Sequence, residues 1–156
     1  MELTGTRTIA APRETVWAKL NDAETLKACI PGCEELTGSP EEGFQATVKQ
    51  KVGPVKATFK GEVQLSDVVP PESYRISGEG KGGVAGFAKG GADVKLTEVP
   101  EGTELAYAVD AKVGGKIAQL GSRLIDSFAA KMADAFFENF QAQVEGPADH
   151  PQDPVT

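Results

Sequence analysis

Three groups of residues have types and spacings that could do chemistry. Gly78, Gly80 and Gly83, within GEGKGGVAGFAKGG, satisfy G-x-G-x-x-G, the spacing that lays backbone N–H groups against a pyrophosphate where a strand runs into a helix. Context argues against that use. The following GFAKGGADVKL alternates as a strand does, so no helix N-terminus waits to receive a phosphate, and no Walker-type lysine loop occurs. Cys29 and Cys33 stand in CIPGC, a C-x3-C spacing interrupted by Pro31 and Gly32 that matches neither a redox C-x-x-C nor a zinc pair; it reads as small apolar thiols at a helix end. The single histidine, His150, lies in GPADHPQDPVT, a stretch expected to be disordered, which leaves no histidine for a triad, a His-rich metal site or a core base.

The elements that must position any site follow from length and pattern. A chain of 156 residues fits one domain, able to bury about 68–70% of its unfolded surface without disulfides. No apolar run is long enough to span a bilayer and no signal-peptide pattern opens the chain, so the expected compartment is the cytoplasm. A formal net charge of -7 argues against nucleic acid as a partner, since such binding draws on a basic face.

A strand over about 2–10 leads into APRETVWAKL, where Pro12 precedes a first helical turn and Val16, Trp17 and Leu20 form a stripe. Asn21 or Asp22 caps a second short helix that Pro31-Gly32 stops. From Phe44 the alternation is regular and assigns faces. Phe44, Ala46, Val48, Gln50 and Val52 point inward on one strand; Val55, Ala57, Phe59, Gly61 and Val63 on the next; Tyr74, Ile76, Gly78, Gly80 and Gly82 on the third. Ala88, Gly90, Ala92, Val94 and Leu96, then Leu105, Tyr107, Val109, Ala111 and Val113, continue that face, while Lys and Glu hold the other. The inward glycines and alanines make a patch with little side-chain volume, which suits sharp bending or close approach by another group. Opposite them, a helix from about Lys116 carries Leu120, Leu124, Phe128, Met132 and Phe136 at every fourth position. Large side chains facing glycines either pack tightly or leave an apolar cavity.

Alternate turns of a meander emerge at opposite ends. Gly53-Pro54, the turn between Gly83 and Gly86, and Gly114-Gly115 collect at one end, with Lys49, Lys51, Lys56, Lys60, Lys81, Lys89, Lys112, Lys116 and Arg123 at or near them. The acidic turns at 39–43, 69–73 and 99–102 collect at the other. The basic end reads either as ordinary solvated strand faces or as a portal meeting anionic headgroups or an acidic partner.

Strand, two short helices, meander and long C-terminal helix form the pattern of the helix-grip fold of the START/polyketide-cyclase superfamily. APRETVWAKLNDAETLKACIPGCEEL, KQKVGPVKATFKGEVQL, SGEGKGGVAGFAKGGADVKL and VGGKIAQLGSRLIDSFAAKMADAFF closely resemble the CoxG family of carbon monoxide dehydrogenase, nearly to Phe140. The resemblance implies an α+β fold, with a curved seven-stranded antiparallel sheet, two short helices after strand 1 and the long helix across the concave face, as one domain over 1–143 and a disordered tail over 144–156. It implies an accessory protein of a CO-dehydrogenase-type molybdenum hydroxylase and not an enzyme. No covalent cofactor is expected; a non-covalent quinone, menaquinone or ubiquinone, would sit in the cavity. Some members carry a hydrophobic C-terminal anchor; no such segment occurs up to Thr156, so contact with the inner face of the cytoplasmic membrane is expected to be peripheral. The residues expected to line the cavity are Phe44, Phe59, Tyr74, Gly78, Gly80, Phe87, Tyr107, Leu120, Leu124, Phe128 and Met132. Those expected at the portal are Lys51, Gly53, Pro54, Lys56, Lys81, Gly83, Gly86, Lys89, Gly115 and Lys116. Gln50, Tyr74 and Tyr107 are the inward polar groups on the strands, each a satisfied core group or a ligand contact. The alternatives are an adaptor with a filled core and a cyclase- or hydrolase-type enzyme on the same fold; the second lacks acid or base at inward strand positions.

Overall fold

Strands with matching alternation, joined by short turns, pair with their sequence neighbours. In the computed structural model, which describes residues 1–145, this produces one antiparallel sheet of seven strands: β1 (Glu2–Ile9), β2 (Cys33–Ser39), β3 (Gly43–Val52), β4 (Val55–Val69), β5 (Ser73–Lys81), β6 (Phe87–Val99) and β7 (Gly102–Gly114). Their order is β1-β7-β6-β5-β4-β3-β2, so β1 and β2 are the edges. Between those edge strands in sequence run α1 (Arg13–Leu20) and α2 (Ala23–Cys29), and the chain closes with α3 (Ser122–Glu145). The result is an α+β helix-grip fold: a curved sheet holding one long helix.

Local chemistry sets the helix boundaries. Pro12 occupies the N-cap position of α1 in extended geometry, and its carbonyl accepts the Val16 N–H at 3.0 Å. Of the two expected caps for α2 it is Asp22 that serves; its Oδ2 accepts the Thr25 N–H at 3.1 Å and the Thr25 hydroxyl at 2.6 Å. The same two bonds, the hydroxyl first, lower the Asp22 pKa below its usual value.

The C-terminal helix departs from expectation at both ends. Lys116–Leu120 form a separate 3₁₀ turn, Gly121 takes φ +93°, and the α-helix begins only at Ser122. A residue with positive φ cannot continue a right-handed helix, so Gly121 divides the segment. At the other end α3 continues to Glu145, two residues past the expected domain boundary; the remainder of the expected tail, with His150, lies outside the described residues.

The core is concentrated toward the end carrying α1 and α2. Ile9, Val16, Leu20, Cys29, Leu96, Leu105 and Phe140 are almost wholly buried there, with Phe137 beside them. Cys29 is the buried apolar thiol that its neighbours suggested, raised to about 11 by burial, whereas Cys33 is only half-buried on β2. The final turns of α3 are tied down on two sides. Gln141 Nε2 donates to the Thr8 carbonyl at 3.0 Å, Glu145 Oε2 accepts the Ala10 N–H at 2.9 Å, and Arg7 pairs with Asp134. On the other flank, Asn139 Nδ2 donates to the Cys29 carbonyl at 3.0 Å.

Candidate functional site: an apolar cleft between sheet and helix

The first half of α3 has no such ties; beneath it lies a cleft of about 420 Å³. That is within the range of roughly 300–1,000 Å³ typical of small-molecule sites. The sheet supplies Val48, Val52, Phe59, Gly80, Val109 and Val113 to its wall. The helix supplies Ile125, Phe128, Ala129, Met132 and Ala133, and Ile117 closes it from the 3₁₀ turn. Among the described residues no Asp, Glu, His, Lys or Arg lines it. Its one polar side chain, Gln50, is already engaged, its amide donating to the Pro31 carbonyl and so pinning the Pro31-Gly32 turn to β3.

A second cavity of about 190 Å³ meets the first at Val109 and Ala133 and extends toward the α1–α2 end. Phe44, Tyr74, Tyr107 and Phe137 are among its walls. Tyr74 is 5% exposed, sits edge-on to Trp17 with ring centroids 5.2 Å apart, and its hydroxyl makes no hydrogen bond within the described residues. Burial pushes its pKa far upward, so the phenol stays protonated and remains a donor. Tyr107 stacks on Phe137 at 5.0 Å and lays its hydroxyl over Gly5, the residue paired with it on β1. A roomier depression of about 510 Å³ lies on the outer face, but Glu35, Lys60, Glu62, Glu79 and Lys81 surround it, giving no apolar wall to a ligand.

The expected cavity residues therefore divide. Phe59, Gly80, Phe128 and Met132 line the larger cleft; Phe44, Tyr74 and Tyr107 line the smaller. Leu120 and Leu124 pack instead against the cluster of Val52, Ala85 and Ile117, with Leu124 3.3 Å from the position of a Cβ on Gly53. Gly78 serves strand packing: a Cβ there would stand 2.8 Å from the Glu62 carbonyl oxygen. Phe87 is a correction. It lies on the outer face and is 44% exposed, because the inward positions of β6 begin with Ala88 and neighbours alternate.

The portal residues come together at one end. Gly53-Pro54, the turn with Gly83 and Gly86, and Gly115 with Lys116 all lie there; a Cβ on Gly86 would stand 3.1 Å from the Gly115 Cα. Lys51 and Lys56 face each other across the β3–β4 hairpin, and Lys81 and Lys89 project from β5 and β6 onto the outer face. Residues overlooked as cleft walls include Ile125, Ala129 and Ala133. Their signal was present in helical geometry: four residues turn an α-helix by about 400°, so an every-fourth row drifts round the helix while i, i+4, i+7 and i+8 stay on one side.

A curved antiparallel sheet closed by one long helix over an apolar cleft defines a helix-grip protein. Solved structures agree on the fold. A conserved protein from Geobacillus kaustophilus is 29% identical, with TM-score 0.86 over 93% of this chain and 95% of that one. Proteins from Rhodobacter sphaeroides (21% identity, TM-score 0.66, 96% and 95% covered) and Thermus thermophilus (17%, 0.69, 96% and 100%) share the fold. No curated protein sequence matches the chain. The family model for the carbon monoxide dehydrogenase G subunit (CoxG) matches residues 5–145, and the chain belongs to that family.

Proposed function

We propose that this protein is a non-catalytic accessory protein of a CO-dehydrogenase-type molybdenum hydroxylase, carrying a prenylated quinone in the cleft and so linking the hydroxylase to the electron-transport chain. The observation that carries this is the cleft itself: apolar apart from the already engaged Gln50, and left open at Gly80, where a Cβ would meet nothing within 4 Å. Removing apolar surface from water supplies about 25 cal/mol per Å², which favours a polyprenyl chain over a polar metabolite. The smaller cavity suits the head group, since the Tyr74 hydroxyl on its wall makes no hydrogen bond among the described residues and could donate to a quinone carbonyl, an acceptor without a proton. With no Asp, Glu, His or Lys side chain on either wall among the described residues, and the Met1 α-amino group engaged with the Ala111 carbonyl at 2.9 Å, general acid–base chemistry has little to use, which favours a carrier over a cyclase or hydrolase.

The test is to purify the protein from a quinone-producing host, extract it with organic solvent and weigh what is released. A stoichiometric menaquinone or ubiquinone, absent from the folded Ala129→Phe variant that fills the cleft, is expected. Protein that emerges empty and shows no saturable uptake of added menaquinone would sink the carrier reading and favour an adaptor.

A further inference from the structure

The smaller cavity has a second polar wall group besides Tyr74. Asn21, at the C-terminal end of α1, lines it together with Leu20, Leu26, Phe44 and Tyr74. Its backbone is held by the helix end, the N–H reaching the Ala18 carbonyl at 3.3 Å. Its side chain is held as well, Nδ2 donating to the Trp17 carbonyl at 2.9 Å. A carbonyl only accepts, so the amide nitrogen must be the atom turned toward Trp17, and Oδ1 is the free end of the group. Oδ1 accepts no hydrogen bond among the described residues, although Asn21 is only half-exposed.

Trp17 links this oxygen to the Tyr74 hydroxyl. Its carbonyl holds the Asn21 amide and its ring meets the Tyr74 ring edge-on at 5.2 Å, so one residue sets the places of both. Tyr74 is 5% exposed, and its hydroxyl, without a partner among the described residues, can donate; the Asn21 oxygen can only accept. A donor and an acceptor left unpaired on an otherwise apolar wall cost stability until a ligand pairs with them.

We infer that this end of the cavity recognises a hydroxyl group, with Tyr74 donating to it and Asn21 accepting from it, and that it therefore holds the reduced, dihydroxy form of a quinone in preference to the oxidised form. The inference rests on the carrier reading. A quinone oxygen only accepts, so it can use Tyr74 but sets one acceptor against another at Asn21. A quinol hydroxyl both accepts and donates, and can use both groups. The reduced form thus gains one hydrogen bond that the oxidised form cannot make. Tighter binding of the reduced form raises the two-electron potential of the bound pair, by about 30 mV for each tenfold preference. A cargo held in this way is easier to reduce on the protein than in free solution, as suits an acceptor of electrons from a hydroxylase.

Trp17 is the only tryptophan of the chain and touches Tyr74, so its emission reports occupancy of this end. Delipidated full-length protein is titrated anoxically with menaquinone-2 and with the same compound reduced by borohydride. Wild type is expected to bind the quinol roughly three- to tenfold more tightly than the quinone. Asn21→Leu should remove that preference by weakening the quinol alone. Asn21→Asp, which keeps an acceptor oxygen and loses the amide tie to Trp17, should retain it, and Tyr74→Phe should weaken both forms by similar factors. Equal affinity of the wild type for the two forms, or a preference that Asn21→Leu leaves intact, overturns the inference, while saturable binding still leaves the carrier reading standing. Saturable binding of neither form removes the carrier reading and this inference with it.

Discussion

The two halves of α3 do different work although one amphipathic pattern runs through both. Beyond Asp134 the helix is bonded to β1 and to α2, and Phe137 and Phe140 are buried in a core of Ile9, Leu96 and Leu105. Before it, Ile125, Phe128 and Met132 look across a cleft at glycine, alanine and valine. The sheet changes in step, offering Leu96, Leu105 and Tyr74 to the packed half and mostly Val, Ala and Gly, with Phe59, to the open half. Tight packing and open space are thus segregated along one helix, and the anchored half lets the other remain unfilled.

Substitutions can break this contrast. Phe140→Ala, in the fully buried half, should cost about 3–5 kcal/mol in chemical denaturation. Phe128→Ala enlarges a space that already exists and should cost less than half as much; equal losses would mean that the cleft is as tightly packed as the core. Gly90→Ala places a Cβ 2.1 Å from the Asp110 carbonyl oxygen, a backbone atom that cannot swing aside, and should lower stability by about 2 kcal/mol.

Smaller effects sharpen the picture. Asp22→Ala removes the cap of α2, whose end receives Asn139, and should cost about 1 kcal/mol near neutral pH. Because the Asp22 carboxyl is depressed below 3.8 in the folded state, its contribution is complete above that value and is lost as pH falls through the folded pKa. The difference between Asp22→Ala and wild type should accordingly shrink in acid melts; a constant difference would exclude the charged cap. Smallest and opposite in sign, Gly80→Ala should raise thermal stability by roughly 0.5–1 kcal/mol, since it restricts the unfolded chain and meets no atom in the folded one. A loss there would show that the cleft closes in solution.

The glycines explain how far the sequence could be read. Alternation puts Gly78, Gly80 and Gly90 on the inward face, and all are on strands with that register. Their uses differ: Gly90 lets β6 press on β7, Gly78 lets β5 press on β4, and Gly80 borders empty space. Nothing in the residue type separates these, because a missing Cβ looks the same whether its place is taken or vacant. Phe87 teaches the converse, since an aromatic beside glycines suggests a cavity wall while parity along β6 places it outside. Leu120 fits the helical stripe by spacing alone, but Gly121 interrupts the helix after it, and its contacts move with the break.

What the sequence determined by itself was period and parity: which residues share a face, which turns share an end, where charge is separated from apolar surface, and which family pattern these features match. Those are local properties of dihedral angles and of the two-residue strand repeat, and they survive without knowledge of neighbours. Only the tertiary structure decided whether the small-residue patch was packed or open, and that Gln50 is engaged while Tyr74 is not. Each depends on the distance between segments far apart in the chain, set by how strongly the sheet curls and where α3 is tied, and that balance belongs to the assembled molecule rather than to any stretch of it.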